Sequence, residues 1–90
     1  MRKIDIDAKR LETKADTYAY MKELFTLPSY YAKNLDSLYD CLSEYEEEVT
    51  VVFHLETLRA ICENDYAFRV LMVMGKVADN NPNFHIAFRK

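Results

Sequence analysis

The chain has 90 residues and a net charge of −3, with half of its residues apolar or aromatic and 30% charged. That balance fits one soluble globular domain spanning residues 1–90 and excludes a disordered or fibrous chain. A single glycine, Gly75, excludes glycine-rich phosphate loops and dinucleotide fingerprints. No apolar run approaches the roughly 20 residues of a membrane span, and Met1-Arg2-Lys3 leads into no long apolar stretch, so a cytoplasmic location is expected.

Residues 2–7 alternate at Ile4-Asp5-Ile6 and predict a short strand. Thr13-x-x-Asp16 resembles a capping box and predicts a helix with Thr17, Met21, Leu24 and Phe25 on one side, stopped by Pro28. Asn34 is suited to cap a second helix over 34–45, with Leu35, Leu38, Cys41 and Leu42 on one face. The run Val49-Thr50-Val51-Val52-Phe53 predicts a strand covered on both sides. A short helix follows over 55–63, with Asn64-Asp65 ending it and capping the next. The helix over 66–79 is expected to turn Phe68, Leu71, Met72 and Gly75 inward, and Asn80-Asn81-Pro82 to break it. Phe84 to Phe88 closes the chain as a strand. Strands alternating with helices predict a small α/β fold, a three-stranded parallel sheet with right-handed crossovers and about four helices.

The charge is unevenly spread. Residues 34–48 hold six acids and no base, whereas the remainder carries twelve bases and nine acids. Such a patch repels nucleic acid and attracts a basic protein surface, a cation or a basic ligand. The same run would also serve as a solvated face that aids solubility. On a wheel of about 100° per residue, Asp36, Tyr39, Asp40 and Ser43 occupy an arc separate from the apolar one. Like charges at i and i+4 cost roughly 0.2–0.5 kcal/mol, which a cationic partner would relieve on binding and which an isolated protein would also tolerate. Just before this helix stand Tyr30 and Tyr31. Two adjacent aromatics in a loop are not easily both buried, so one is expected to seal the helix and the other to project beside the acids.

Other chemistry is weaker. His54 and His85 lie singly at strands, where a structural or exposed role is usual. Cys41 lies on the inward arc, which argues against a nucleophile, and Cys41 and Cys62 are expected as buried or half-buried thiols. Asp36 and Asp40 lack the further oxygens of a calcium loop, and paired acids on a convex helix do not suit hydrolysis. The methionines at 21, 72 and 74 read as core filling. A scaffolding or homo-oligomeric module remains open, since tyrosine-rich acidic surfaces also mediate ordinary contacts.

The stretch from Leu27 to Leu42, LPSYYAKNLDSLYDCL, resembles the barstar family of bacterial intracellular inhibitors of barnase-type ribonucleases. The tyrosine pair, Asn-Leu-Asp and Asp-Cys-Leu stand in the family's order and spacing, and the resemblance extends over the whole length. It implies a non-enzymatic protein whose second helix and preceding loop plug a ribonuclease active site. By this resemblance Asp40 acts as a phosphate mimic, Tyr30 packs on the enzyme's catalytic histidine, and Asp36 pairs with basic groups at the rim. Asn34, Leu35 and Tyr39 fill contacts around them, and Ser43 and Tyr45 complete the expected partner-binding set. The implied partner is one extracellular-type ribonuclease bound one to one, with no cofactor, metal, nucleic acid, membrane or small-molecule substrate.

Four departures from the family pattern stand out. Ala32 replaces a glycine that allows close backbone approach. Tyr39 and Tyr45 stand where tryptophan is frequent. Lys76 reverses the charge of an acidic, partner-facing position. Glu44, Glu46, Glu47 and Glu48 extend the acidic footprint toward the far end of the second helix. The alternatives are an interaction module of the same fold without nuclease inhibition and, more remotely, a small hydrolase.

Overall fold

The computed structural model describes residues 2–27, 31 and 34–90. The elements run in the order β1 (Arg2–Asp5), a 3-10 helix (Ala8–Leu11), α1 (Lys14–Phe25), α2 (Leu35–Ser43), β2 (Val49–His54), α3 (Leu55–Cys62), α4 (Asp65–Asn80) and β3 (Phe84–Arg89). The three strands form a parallel sheet in the order β1-β2-β3, with Ile4 opposite Val51 and Val51 opposite Ile86. Among the described residues the fold is thus the small three-stranded parallel α/β arrangement expected, with four α-helices.

Local chemistry sets most of the boundaries. Thr13 Oγ1 accepts from Asp16 N at 3.1 Å, Asn34 Oδ1 from Ser37 N at 2.7 Å, and Asn64 Oδ1 from Tyr66 N and Ala67 N at 3.1 and 3.2 Å. Each cap satisfies amides that have no partner within the helix. β2 is central and apolar because it is covered on both faces, with Val49, Val51, Val52 and Phe53 all buried. β1 ends at Asp5 rather than at residue 7. Ile6 N still donates to Val52 O at 3.1 Å, but Asp7 turns to cap the 3-10 helix by accepting from Lys9 N. α1 ends at Phe25, where Thr26 adopts a left-handed conformation (φ 49°, ψ 55°); Pro28, expected to stop the helix, lies outside the described residues. α2 likewise stops at Ser43, short of residue 45.

The face of α4 differs from expectation. Ala67, Val70, Met74 and Val77 are buried, whereas Phe68 is 43% and Met72 52% exposed, and Leu71 and Gly75 are half-buried. The buried set is one helical register away from the expected one and has the same period. The helical pattern suggested Phe68, but α4, which packs on α2 and α3, buries Ala67 and Val70 instead. Met72 is therefore not core filling, although Met21 and Met74 are. Cys62 is exposed, not buried or half-buried, because it is the last residue of α3, a helix that reaches the core through Ile61 and Leu58. His54 Nε2 meets Asp5 Oδ1 at 2.9 Å across β1 and β2.

Candidate functional site

α2 is anchored by Leu38, Cys41 and Leu42, all at most 4% exposed. Burial in this apolar setting is the main cause that pushes the Cys41 thiol pKa up. A hydrogen bond with Ser37 opposes it, and the negative charges of Asp40 and Glu44 add to it. Cys41 is thus a packing residue rather than a nucleophile. With that face fixed to the core, the opposite face must project. Asp36 and Asp40 are exposed, and among the described residues neither carboxylate takes part in an ion pair.

Asn34, Leu35, Asp36, Tyr39 and Asp40 gather along the seam between α2 and α4. One hollow of about 450 Å³ is lined by Leu35, Asp36, Tyr39, Asp40, Val73 and Lys76. A second, of about 230 Å³, is lined by Lys14, Asn34, Leu35, Asp36, Tyr66 and Arg69. Leu35 and Asp36 border both, so the two hollows adjoin along a trough-like seam. Asp36 and Asp40 line it from α2, and the bases face them from α4 (Arg69 and Lys76) and α1 (Lys14).

Tyr45 does not join this group. Its hydroxyl accepts from Arg2 Nη1 at 3.1 Å and donates to Glu47 Oε2 at 3.2 Å, and its ring meets Phe25 edge-on at 5.4 Å. It faces a separate hollow of about 370 Å³ that includes Arg2, Glu44, Glu46 and Glu47. Ser43 is half-buried and its Oγ is enclosed without a hydrogen-bond partner among the described residues. Tyr31 is buried and stacked on Tyr18, with ring centroids 4.8 Å apart. Burial, followed by the neighbouring Tyr66, Cys41 and Tyr18, pushes its pKa up to about 12. Tyr30 and Ala32 lie outside the described residues.

Three asparagines that the sequence suggests only as a helix breaker and its surroundings hold this face in place. Asn80 Nδ2 donates to Tyr39 Oη at 3.0 Å and to Lys76 O at 2.9 Å. Asn81 Nδ2 donates to Leu42 O and Tyr45 O, both at 3.0 Å, while its Oδ1 accepts from Asn83 N at 2.9 Å. Asn83 Nδ2 donates to Glu46 O at 3.1 Å. The closely spaced asparagines at 80, 81 and 83 were the available signal; their partners, nearly forty residues away in sequence, were not.

Among the described residues no helix is long and apolar enough to cross a membrane, and no three His, Cys, Asp or Glu side chains cluster as a metal site. Comparison with known proteins matches residues 1–89 to the family model described as Barstar (barnase inhibitor). A Bacillus subtilis (strain 168) protein named "Putative ribonuclease inhibitor YrdF" is 42% identical over 43 residues, which cover 48% of this chain and 47% of that protein. The match thus spans about half the length of that relative. The family model covers nearly the whole chain, and the chain belongs to the barstar family.

Proposed function

We propose that this protein is a non-enzymatic inhibitor that binds one barnase-type or related toxic ribonuclease and occludes its basic active site. Residues 1–90 would act as a single inhibitor domain in a bacterial cytoplasm, as an immunity protein against a secreted nuclease. Family membership supports the inhibitory role. The observation that carries the mode of binding is Asp40, exposed and unpaired among the described residues on a helix whose other face is locked into the core.

A carboxylate accepts charge-assisted hydrogen bonds from arginine and histidine much as a phosphate does. Held on a rigid helix, Asp40 would meet the enzyme's phosphate-binding cations without reordering the inhibitor, which lowers the entropic cost of binding. Asp36 sits one turn earlier, and its charge adds to the attraction that speeds encounter with a basic surface. Tyr30, Asn34, Leu35 and Tyr39 would close around this pair. Ser43 and Tyr45 would take the far end of the footprint, where Glu44 and Glu46 to Glu48 extend the negative charge.

Titrating barnase activity with the purified chain tests the role. Loss of activity that saturates at one chain per enzyme is expected. Full barnase activity in excess inhibitor, repeated with related ribonucleases, would leave only an interaction module of the same fold.

A further inference from the structure

The α4 wall of the trough carries charge of the opposite sign to α2. Its cations are Arg69 and Lys76, and Lys14 of α1 stands beside them. Arg69 is held by Asp65 at 3.2 Å, and Lys14 lies over the Tyr66 ring at 5.7 Å. Lys76 is exposed, shares its hollow with Asp36 and Asp40, and has no ion-pair or ring partner among the described residues. An unengaged ammonium group thus stands across from two unengaged carboxylates, and the face is two-signed.

A partner that closes over the trough covers both walls. A surface that is basic throughout would satisfy Asp36 and Asp40 but press its own cations against Lys76. Like charges brought together under a closing interface oppose binding and reject that partner. A surface with a basic pocket over α2 and a carboxylate over α4 meets both walls with complementary charge. We propose that Lys76 sets partner choice, favouring a ribonuclease whose basic pocket is bordered by an acidic group on the side that faces α4. This rests on the inhibitory role proposed above.

The test uses barnase as the probe, with the wild-type chain, Lys76→Ala, Lys76→Glu and Asp40→Ala compared by association and dissociation kinetics at low and high salt. Lys76 is exposed, so both substitutions should leave the thermal unfolding midpoint near wild type; Lys76→Ala serves alone if Lys76→Glu does not fold. Removing the charge should tighten binding several-fold, and reversing it on the order of tenfold. The gain should sit mainly in the association rate and shrink as salt rises. Unchanged or weaker binding by both lysine variants would overturn the inference, as would a failure of wild type and both variants alike to bind. Loss of binding in Asp40→Ala with no effect at Lys76 would sink the inference alone. Binding unchanged in Asp40→Ala would instead sink the proposed use of the acidic face.

Discussion

The side-chain amide of Asn81 donates to the carbonyl oxygen of Leu42 at 3.0 Å, which ties the last turn of α2 to the turn between α4 and β3. Asn81 is 4% exposed, and its side chain makes three hydrogen bonds, all within the protein. The orientation of the acidic helix therefore depends on a residue far from it in sequence. Asn81→Leu, which keeps the branched side-chain shape, should destabilise by about 3 kcal/mol, because it strands the Tyr45 carbonyl and the Asn83 amide, while Leu42 O keeps its bond from Tyr45 N. Denaturant unfolding measures this; a loss below about 1 kcal/mol would show that water replaces the amide.

Thr26 closes α1 in the left-handed region, where a β-branched side chain is strained by roughly 1–2 kcal/mol. Thr26→Gly should stabilise the protein by about 0.5 kcal/mol, since strain relief exceeds the extra freedom glycine has when unfolded. A lower melting temperature for this variant would mean that the threonine side chain makes a compensating contact.

Ser43 carries an enclosed hydroxyl with no hydrogen-bond partner among the described residues. Ser43→Ala should raise stability by about 1 kcal/mol, through removal of a desolvated polar group and a gain in helix propensity. Calorimetry would decide it, and destabilisation would point to a bound water or a partner supplied by the loop before α2.

Tyr31 holds its proton up to about pH 12, mainly because burial disfavours the phenolate. The folded state binds this proton more tightly than the unfolded state, whose tyrosines titrate near pH 10. The contribution is therefore complete below pH 10 and is lost as pH rises from 10 towards 12. Alkaline unfolding of wild type and Tyr31→Phe should differ within that window, with the slope of stability against pH shallower in the variant. Identical slopes would place the sensitivity on other tyrosines, of which Tyr20, Tyr45 and Tyr66 are also shifted upward.

What was legible in the sequence follows the range of the forces involved. Thr13, Asn34 and Asn64 act on amides two or three residues ahead, so their capping roles could be read directly. The two arcs of α2 were equally plain, because its apolar and acidic residues do not mix. α4 was harder: the sets 67/70/74/77 and 68/71/72/75 have the same period, and which one faces inward depends on the room left by α2 and α3. Tyr45 entered the expected site through the family resemblance, and its contacts with Arg2 and Phe25, far from it in sequence, could not be read from the chain. The asparagine clamp was invisible for the same reason, since long-range partners leave no local pattern.

The central claim is that Asp40 stands in for an anion which a ribonuclease grips. Its carboxylate is exposed in the free protein and sits four residues from Asp36, so Asp40→Asn should change stability by less than about 0.5 kcal/mol. In a closed complex the same change removes a charge from a ring of buried cations, which costs about 3 kcal/mol or more. The dissociation constant of the complex with barnase, compared between wild type and Asp40→Asn at fixed ionic strength, is the most direct measurement. A rise of at least about a hundredfold with unchanged unfolding is the predicted result, and equal affinity of the two proteins would contradict the account.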